Sequence, residues 1–374
     1  MRITGLALQY FRAHKSFSLQ FEDQITLIIG SNASGKTSIL EALHLLATGK
    51  SFRAEKIAEM VGFSQELSRV KGVMVPEAEP DKGELETEQG VEKTELEIIL
   101  TRGVVNGKRS AYRLFSVNGV KRQQRKATGI LKTVLFRPED MRLIEGSPSR
   151  RRGYLDTPLA LLFEEYQSSV KTYEQVLKRR NKLLWSVREG EQPRSVLEYW
   201  NQALIKHGEI IQEYRRKFVS TAVNVKFPMK LQFEYDPSII SADRVKQYLE
   251  KEITVGHSLI GPHKDDFVVT FLHEGVEEPL NIALYGSRGQ QRLGVLWLKL
   301  VELSYLEQES GERPVLLLDD IFSELDSTSQ NLVLDLLKQG QTVITTTDQA
   351  LEQVLEARFA GRMQTLHLQN TDIS

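Results

Sequence analysis

Gly30-Ser31-Asn32-Ala33-Ser34-Gly35-Lys36-Thr37 sets two glycines five positions apart and follows the second with lysine and a hydroxyl residue. This is the phosphate-binding loop pattern. Glycines let successive backbone N–H groups turn inward onto phosphate oxygens, Lys36 would reach the β- and γ-phosphates, and the Thr37 hydroxyl would ligate Mg²⁺. Ser31, Asn32, Ala33 and Ser34 supply the intervening amides, with Ser38 next in line. The flanks agree with this reading. Ile25 to Ile29 is a β-branched apolar run that predicts a buried strand, and from Ser38 to Leu46 apolar residues recur at helical spacing. A strand, a glycine loop and a helix together aim a helix N-terminus at phosphate.

Three downstream stretches complete a nucleotide site. Pro314-Val315-Leu316-Leu317-Leu318-Asp319-Asp320 predicts a buried parallel strand with its acidic end at the carboxyl edge of the sheet, where nucleotides bind in open α/β folds. Asp319 would hold Mg²⁺ and Asp320 would orient or deprotonate the attacking water. Ser287-Arg288-Gly289-Gln290-Gln291-Arg292 precedes a helical pattern running to Leu306, so Ser287 and Gly289 form an anion site at a helix N-terminus. A chain with one phosphate loop has no use for a second anion site on its own nucleotide, whereas two copies closing over ATP do. Beyond Ser323-Glu324-Leu325-Asp326, Thr342 to Ile344 predicts one more buried strand that runs out through Thr345, Thr346 and Thr347, the position of a switch residue that feels the γ-phosphate.

The rest of the chain frames this core. Strands are expected at Ile3 to Tyr10 and Ser16 to Phe21, forming an antiparallel layer, and at Glu95 to Leu100, Tyr112 to Val117 and Val134 to Phe136. Asn118-Gly119 is a hairpin signal. The run from 157 to 222 reads as two antiparallel helices, 158 to 188 and 194 to 222, with Leu177, Leu184, Trp185, Leu204, Ile210 and Ile211 in their seam and Lys178, Arg179, Arg180 and Lys182 on an exposed face. Pro76 to Gly90 reads as a mobile acidic loop.

Charged residues make up 26% of the chain, the formal net charge is −1 and cysteine is absent, which excludes disulfides and thiolate zinc sites. No apolar run approaches membrane-spanning length and the N-terminus lacks a secretory layout, so a cytoplasmic protein with no membrane partner is expected. Charge is distributed unevenly. Residues 77 to 97 carry nine acidic side chains against two lysines, while 101 to 153 carry fourteen basic against three acidic. Lys121, Arg122, Arg125 and Lys126, with Arg150, Arg151 and Arg152, are therefore candidates for a polyanion-binding face or for a solvated edge.

GSNASGKT, SRGQQR, LLLDD and SELD in this order resemble the motif set of the ABC-type ATPase heads of the SMC group. PEDMRLIEGSPSRRRGYLD (138 to 156) and GPHKDD (261 to 266) resemble signatures of the RecF family of bacterial DNA repair proteins. The resemblance implies an α/β fold: a P-loop ATPase head with a mixed central sheet and an antiparallel β layer, built from 1–140 and 255–374, plus a short helical arm at 141–254. It implies a weak, DNA-stimulated ATPase with ATP and Mg²⁺ as cofactors, acting on duplex, gapped or single-stranded DNA with RecO and RecR to help load RecA. In that scheme Gly30 to Ser38 and Arg12 contact ATP, Thr37 and Asp319 the metal, and Lys36, Asp319 and Asp320 carry the chemistry. Ser287, Arg288, Gly289 and Gln290 close over the ATP of a second copy, and Asp326 lies at the seam of that ATP-dependent dimer. Three departures from the wider ABC pattern stand out: Arg288 replaces a glycine, Asp320 stands where glutamate is usual, and threonine occupies the switch position. The shorter Asp320 carboxylate implies slow hydrolysis. The same motifs would also serve the nucleotide-binding subunit of a transporter, although the arm lacks an apolar coupling surface, or a scaffold that binds ATP without turnover.

Overall fold

Strands with no polar face must be covered on both sides, and here they assemble into one parallel sheet. In the computed structural model, which describes residues 1–76, 92–273 and 275–369, its order is Thr133–Phe136, Val315–Asp319, Thr342–Thr346, Ile25–Gly30, Met363–Leu368. Register pairs Asp319 with Thr345 and Thr345 with Ile28. The carboxyl ends of the three central strands therefore finish side by side. The helix Lys36–Thr48 is buried almost all round, as a helix covered on both sides requires. It packs against strands of this sheet and of a second, antiparallel one.

That second sheet runs His14–Gln20, Arg2–Phe11, Leu67–Val75, Thr94–Thr101, Arg113–Val117, Val120–Arg122. Burial alternates along Leu67–Val75, the pattern of a sheet with one covered face. Asn118 and Gly119 both take positive φ, 50° and 74°, which closes the expected two-residue hairpin between Val117 and Val120. The expected mixture of strand directions is thus divided between two separate sheets. The acidic loop foreseen from Pro76 to Gly90 lies, beyond Pro76, outside the described residues.

The chain divides into two compact units, Met1–Asp140 with Leu306–Ser374, and Met141–Tyr305. The second takes in 255–305, a stretch expected in the head. The cause is local: Asp266–Phe271 pairs antiparallel with Leu231–Asp236, and the loop before it anchors the helices. Buried Asp265 accepts hydrogen bonds from Arg215 Nη1 (2.8 Å), Gln212 Nε2 (2.9 Å), the Ser238 N–H (2.8 Å) and the Tyr235 hydroxyl. Arg215 also donates to Asp156. Beside this hub the Tyr173 hydroxyl donates to His263 Nδ1 (2.8 Å) while Nε2–H donates to the Ser258 carbonyl (3.2 Å). Burial pushes the His263 imidazole down to about 4, so the ring is neutral at pH 7. Phe233, Phe267, Phe218 and Tyr154 pack against one another with ring centroids 4.7 to 6.3 Å apart.

The helical run departs from expectation in three ways. It begins at Pro148 and breaks at Phe163, giving Pro148–Leu162 and Glu164–Arg188, and the partner helix is Glu198–Ser220. Trp185, expected in the seam, is 47% exposed. Arg180, expected on the exposed face, is fully buried because it shares the helical stripe of Tyr173, Val176 and Leu184. Its guanidinium donates to Glu252 Oε2, Ser258 Oγ and Asn201 Oδ1, each at 2.7 Å. Helix Ala350–Phe359 and edge strand Met363–Leu368 had no forecast, since MQTLHL carries no apolar run. Among the described residues no helix is long and apolar enough to cross a membrane.

Arg180→Met would leave the Glu252 carboxylate buried and unpaired, a loss of about 3 to 5 kcal/mol. Adding Glu252→Leu should recover most of it; urea unfolding of the two variants checks this.

Candidate active site

Gly35 cannot be replaced in this loop without strain. Its φ is +90°, and a Cβ there would lie 2.5 Å from Nε2 of His14, which is buried directly beneath the loop and hydrogen-bonds the Gly35 carbonyl at 3.2 Å. A Cβ on Gly30 would meet Ser34 Oγ at 2.5 Å and the Leu368 carbonyl at 3.0 Å. The chain between them wraps tightly, with Ala33 at φ +67° and the Ser34 N–H donating to the Ser31 carbonyl. Lys36 opens the helix and arcs back, its Nζ donating to the carbonyls of Gly30 (2.7 Å) and Ser31 (2.8 Å). Burial lowers the Lys36 pKa, opposed by the nearby carboxylates of Asp320 and Asp319.

The two halves of the site meet at Asp319. Thr37 Oγ1 donates to its Oδ1 at 2.9 Å and Thr345 Oγ1 to the same oxygen at 2.8 Å. Burial raises the Asp319 pKa, while both hydroxyl bonds favour the charged form. Asp320 turns away with φ +51°, its N–H held by the Thr345 carbonyl at 3.0 Å. Its Oδ1 is buried without a hydrogen-bond partner among the described residues, as is Ser34 Oγ. Of the three threonines at the expected switch position, Thr345 touches Asp319, Thr346 Oγ1 accepts from the Asp348 N–H, and Thr347 is exposed.

A hydroxyl bonded to a carboxylate is a pair that a hard cation can bridge. No group of three or more His, Cys, Asp or Glu capable of caging a metal exists among the described residues. The Thr37–Asp319 pair suits Mg²⁺, which keeps several waters and takes phosphate oxygens with one or two protein ligands.

Arg12 (φ +55°) clamps Glu41 through Nε (2.8 Å) and Nη2 (2.6 Å), and its Nη1 donates to the Glu59 carbonyl. Glu41 is fully buried on the loop helix and also accepts from Ser51. Neither Glu41 nor His14 was anticipated, because a single polar residue in an apolar stretch carries no signal of what it will face. A cavity of about 720 Å³ is lined by Arg12, Asn32 to Ser38 and both aspartates, with other residues of the first unit alone.

Elsewhere the candidates divide between local contacts and exposed positions. Ser287 and Gln290 form a reciprocal capping box at the start of helix Arg288–Ser310: Gln290 Oε1 accepts from the Ser287 N–H and Ser287 Oγ from the Gln290 N–H. Ser287 and Arg288 are exposed. Asp326 caps helix Ser327–Leu336 by accepting from the Ser329 N–H at 2.8 Å. Lys121, Arg122, Arg125 and Lys126 are exposed around the hairpin exit, and Arg150 is exposed on its helix. Arg151 and Arg152 depart from the set: Arg151 is bidentate to Asp266 and Arg152 donates to the Asp265 carbonyl at 3.0 Å. These two guanidiniums tie helix to strand.

A family model described as the RecF/RecN/SMC N terminal domain matches residues 2–367. The DNA replication and repair protein RecF of Thermoanaerobacter sp. (strain X514) is 33% identical over 368 residues, covering 93% of this chain and 94% of the relative. The chain belongs to the RecF family. The RecF of Agathobacter rectalis is 31% identical over 374 residues, covering 96% and 95%. Among solved structures, the recombination mediator protein RecF-ATPrS in the RecFOR pathway superposes with a TM-score of 0.81 at 29% identity, covering 98% of this chain and 96% of that one. The RecF-ATP structure gives 0.78 at 30% identity, covering 93% and 92%. The fold is accordingly that of the RecF and SMC ATPase head, with its parallel and antiparallel sheets.

Asp319 takes up its proton more readily folded than unfolded, so its ionisation weakens the fold as pH rises past the ordinary carboxylate value of about 4. Asp319→Asn should therefore raise the melting temperature of the ligand-free protein, by a margin that grows as pH rises from about 4 and then levels off. Calorimetry across that range checks the sign.

Proposed function

We propose that this chain is an ATP-dependent DNA-binding protein of recombinational repair, whose two copies close over ATP and separate on hydrolysis. The observation that carries the reading is the meeting of Lys36, Thr37, Asp319 and Asp320 at the aligned strand ends, in a family with ATP-bound members. On ATP binding, Lys36 exchanges two carbonyl acceptors for phosphate oxygens, and the amides from Gly30 to Ser38 surround them, with Arg12 at the cavity wall. Held by Thr37 and Asp319, Mg²⁺ would neutralise charge on the phosphates. Asp320 orients the attacking water and receives its proton through Oδ1, the oxygen left without another partner. The shorter carboxylate makes this step slow, so hydrolysis acts as a timer.

In this reading Ser287, Arg288, Gly289 and Gln290 of one copy face the γ-phosphate held by the other. The Ser287 hydroxyl keeps its O–H as a donor, since the oxygen already accepts from Gln290. Asp326 contributes at the seam. Lys121, Arg122, Arg125, Lys126 and Arg150 neutralise DNA phosphates without reading sequence. The partners are RecR and RecO, and through them RecA, in the cytoplasm.

Lys36→Met should abolish ATP affinity, whereas Ser287→Arg should retain it and lose ATP-induced dimers in light scattering. Normal affinity in the first variant refutes the loop assignment; intact dimers in the second refute closure by Ser287. For DNA, Lys121→Glu with Arg122→Glu should reduce the slope of log affinity against log salt by about 2, at roughly 0.9 per phosphate contact on duplex. An unchanged slope would remove the hairpin from the interface.

A further inference from the structure

Glu41 is fully buried on the helix that opens with Lys36 and Thr37, one turn beyond Thr37 on the same face. Burying a carboxylate is costly unless it is paired and hydrogen-bonded. Here both oxygens are committed: Oε2 accepts from Arg12 Nε at 2.8 Å, and Oε1 accepts from Arg12 Nη2 at 2.6 Å and from the Ser51 hydroxyl. Ser51 Oγ in turn accepts the N–H groups of Arg53 (2.9 Å) and Ala54 (2.7 Å), so the loop after the helix hangs on the same carboxylate. The Arg53 guanidinium stands 3.9 Å from it.

What Glu41 fixes is a cation on the cavity wall. Arg12 lines the cavity with Lys36, Thr37 and Asp319. Its backbone is left-handed, at φ +55°, a state that persists only where the surroundings enforce it. The fork on Glu41 holds the far end of the side chain, and Nη1 adds a bond to the Glu59 carbonyl at 2.8 Å. A guanidinium has five N–H groups. Those bonds take three of them, so among the described residues one N–H on each terminal nitrogen of Arg12 is left over. A guanidinium already held in place loses little freedom on meeting an anion.

We infer that Glu41 is a positioning residue: it fixes the Arg12 guanidinium on the cavity wall, with N–H groups to spare for the phosphate chain, and so sets the preference for ATP over ADP. The inference rests on the nucleotide reading of the site. A fixed positive charge gains more from the more highly charged ligand. Charge alone predicts the opposite sign for Glu41 itself. It is an anion beside a site for polyanions, so removing its charge would strengthen ATP more than ADP by Coulomb attraction. If its work is to fix Arg12, removing it weakens ATP more than ADP.

The test measures ATP and ADP binding by calorimetry to the full chain, to Glu41→Gln, Glu41→Asp and Arg12→Ala, and to Glu41→Gln combined with Arg12→Ala, with thermal melting of each ligand-free protein. In Arg12→Ala the buried carboxylate still has Ser51 and Arg53 beside it. Glu41→Gln should lower the ratio of ATP to ADP affinity about tenfold, the scale of one hydrogen bond to a charged group. Arg12→Ala should lower it as much, and the double variant no further. Glu41→Asp keeps the charge and withdraws it by one methylene, so it should lower the ratio part of the way. A ratio unchanged or raised in Glu41→Gln overturns the inference while leaving the site reading intact. Equal losses for ATP and ADP overturn it too, because they mean that Glu41 only supports the helix. A further fall in the double variant beyond Arg12→Ala assigns the effect to another group and also overturns it. Should Glu41→Gln fail to melt cooperatively, Glu41→Asp decides, and an unchanged ratio there overturns the inference. Should wild type bind neither nucleotide, the nucleotide reading itself fails and the inference with it.

Discussion

Two hydroxyls, one on the helix that follows the phosphate loop and one at the end of a neighbouring strand, donate to a single carboxylate oxygen of Asp319. That junction needs three segments remote in sequence to end at the same height. Parallel pairing of Val315–Asp319, Thr342–Thr346 and Ile25–Gly30 provides it, with Asp319 opposite Thr345 and Thr345 opposite Ile28. The strands hold that register because every one of their residues except Gly30 is buried, so slipping one would lose the apolar packing of all. The junction keeps a carboxylate in a buried place that raises its pKa, and perturbed carboxylates of this kind cluster at functional sites.

Strain collects in the same region. Arg12, Ala33 and Asp320 all adopt left-handed backbone conformations that side chains rarely take, as do Tyr10 and Ser64. Three of them are held by specific bonds: Arg12 by Glu41, Asp320 by the Thr345 carbonyl, Ser64 by the turn from Gly62 to Gln65 whose last carbonyl Arg102 binds. The loop is also supported from beneath, where His14 fills the space that a side chain on Gly35 would need. A phosphate cradle is mostly backbone, and backbone is stiff only when its surroundings leave it no alternative.

The second unit is organised by polar burial of another kind. Asp265 gathers an arginine, a glutamine, a tyrosine and a backbone amide, and Arg215 links it to Asp156 on another helix. Such networks are costly when half satisfied and rigid when complete. The two signature stretches GPHKDD and RRRGYLD meet here, which accounts for Arg151 and Arg152 turning inward to the strand that starts at Asp266.

Much of this protein is legible in one dimension because some residue types have few uses in combination. Gly30, Gly35, Lys36 and Thr37 between an apolar strand and an apolar helix, with LLLDD later, determined the class of fold and located the candidate site, and Asn118-Gly119 determined a hairpin. Patterns with period 2 or 3.6 located most strands and helices, and failed where an edge strand is half polar, as at Met363–Leu368. What only the tertiary structure decided is the role of single polar residues: Arg180 inside a helix seam, Glu41 beneath Arg12, Thr345 on Asp319, and Phe63 left in water on the cavity wall. A charge or a ring reads the same along the chain whether solvent or a partner surrounds it, and the partners stand up to hundreds of residues away, brought near only by the packing of the sheets and helices.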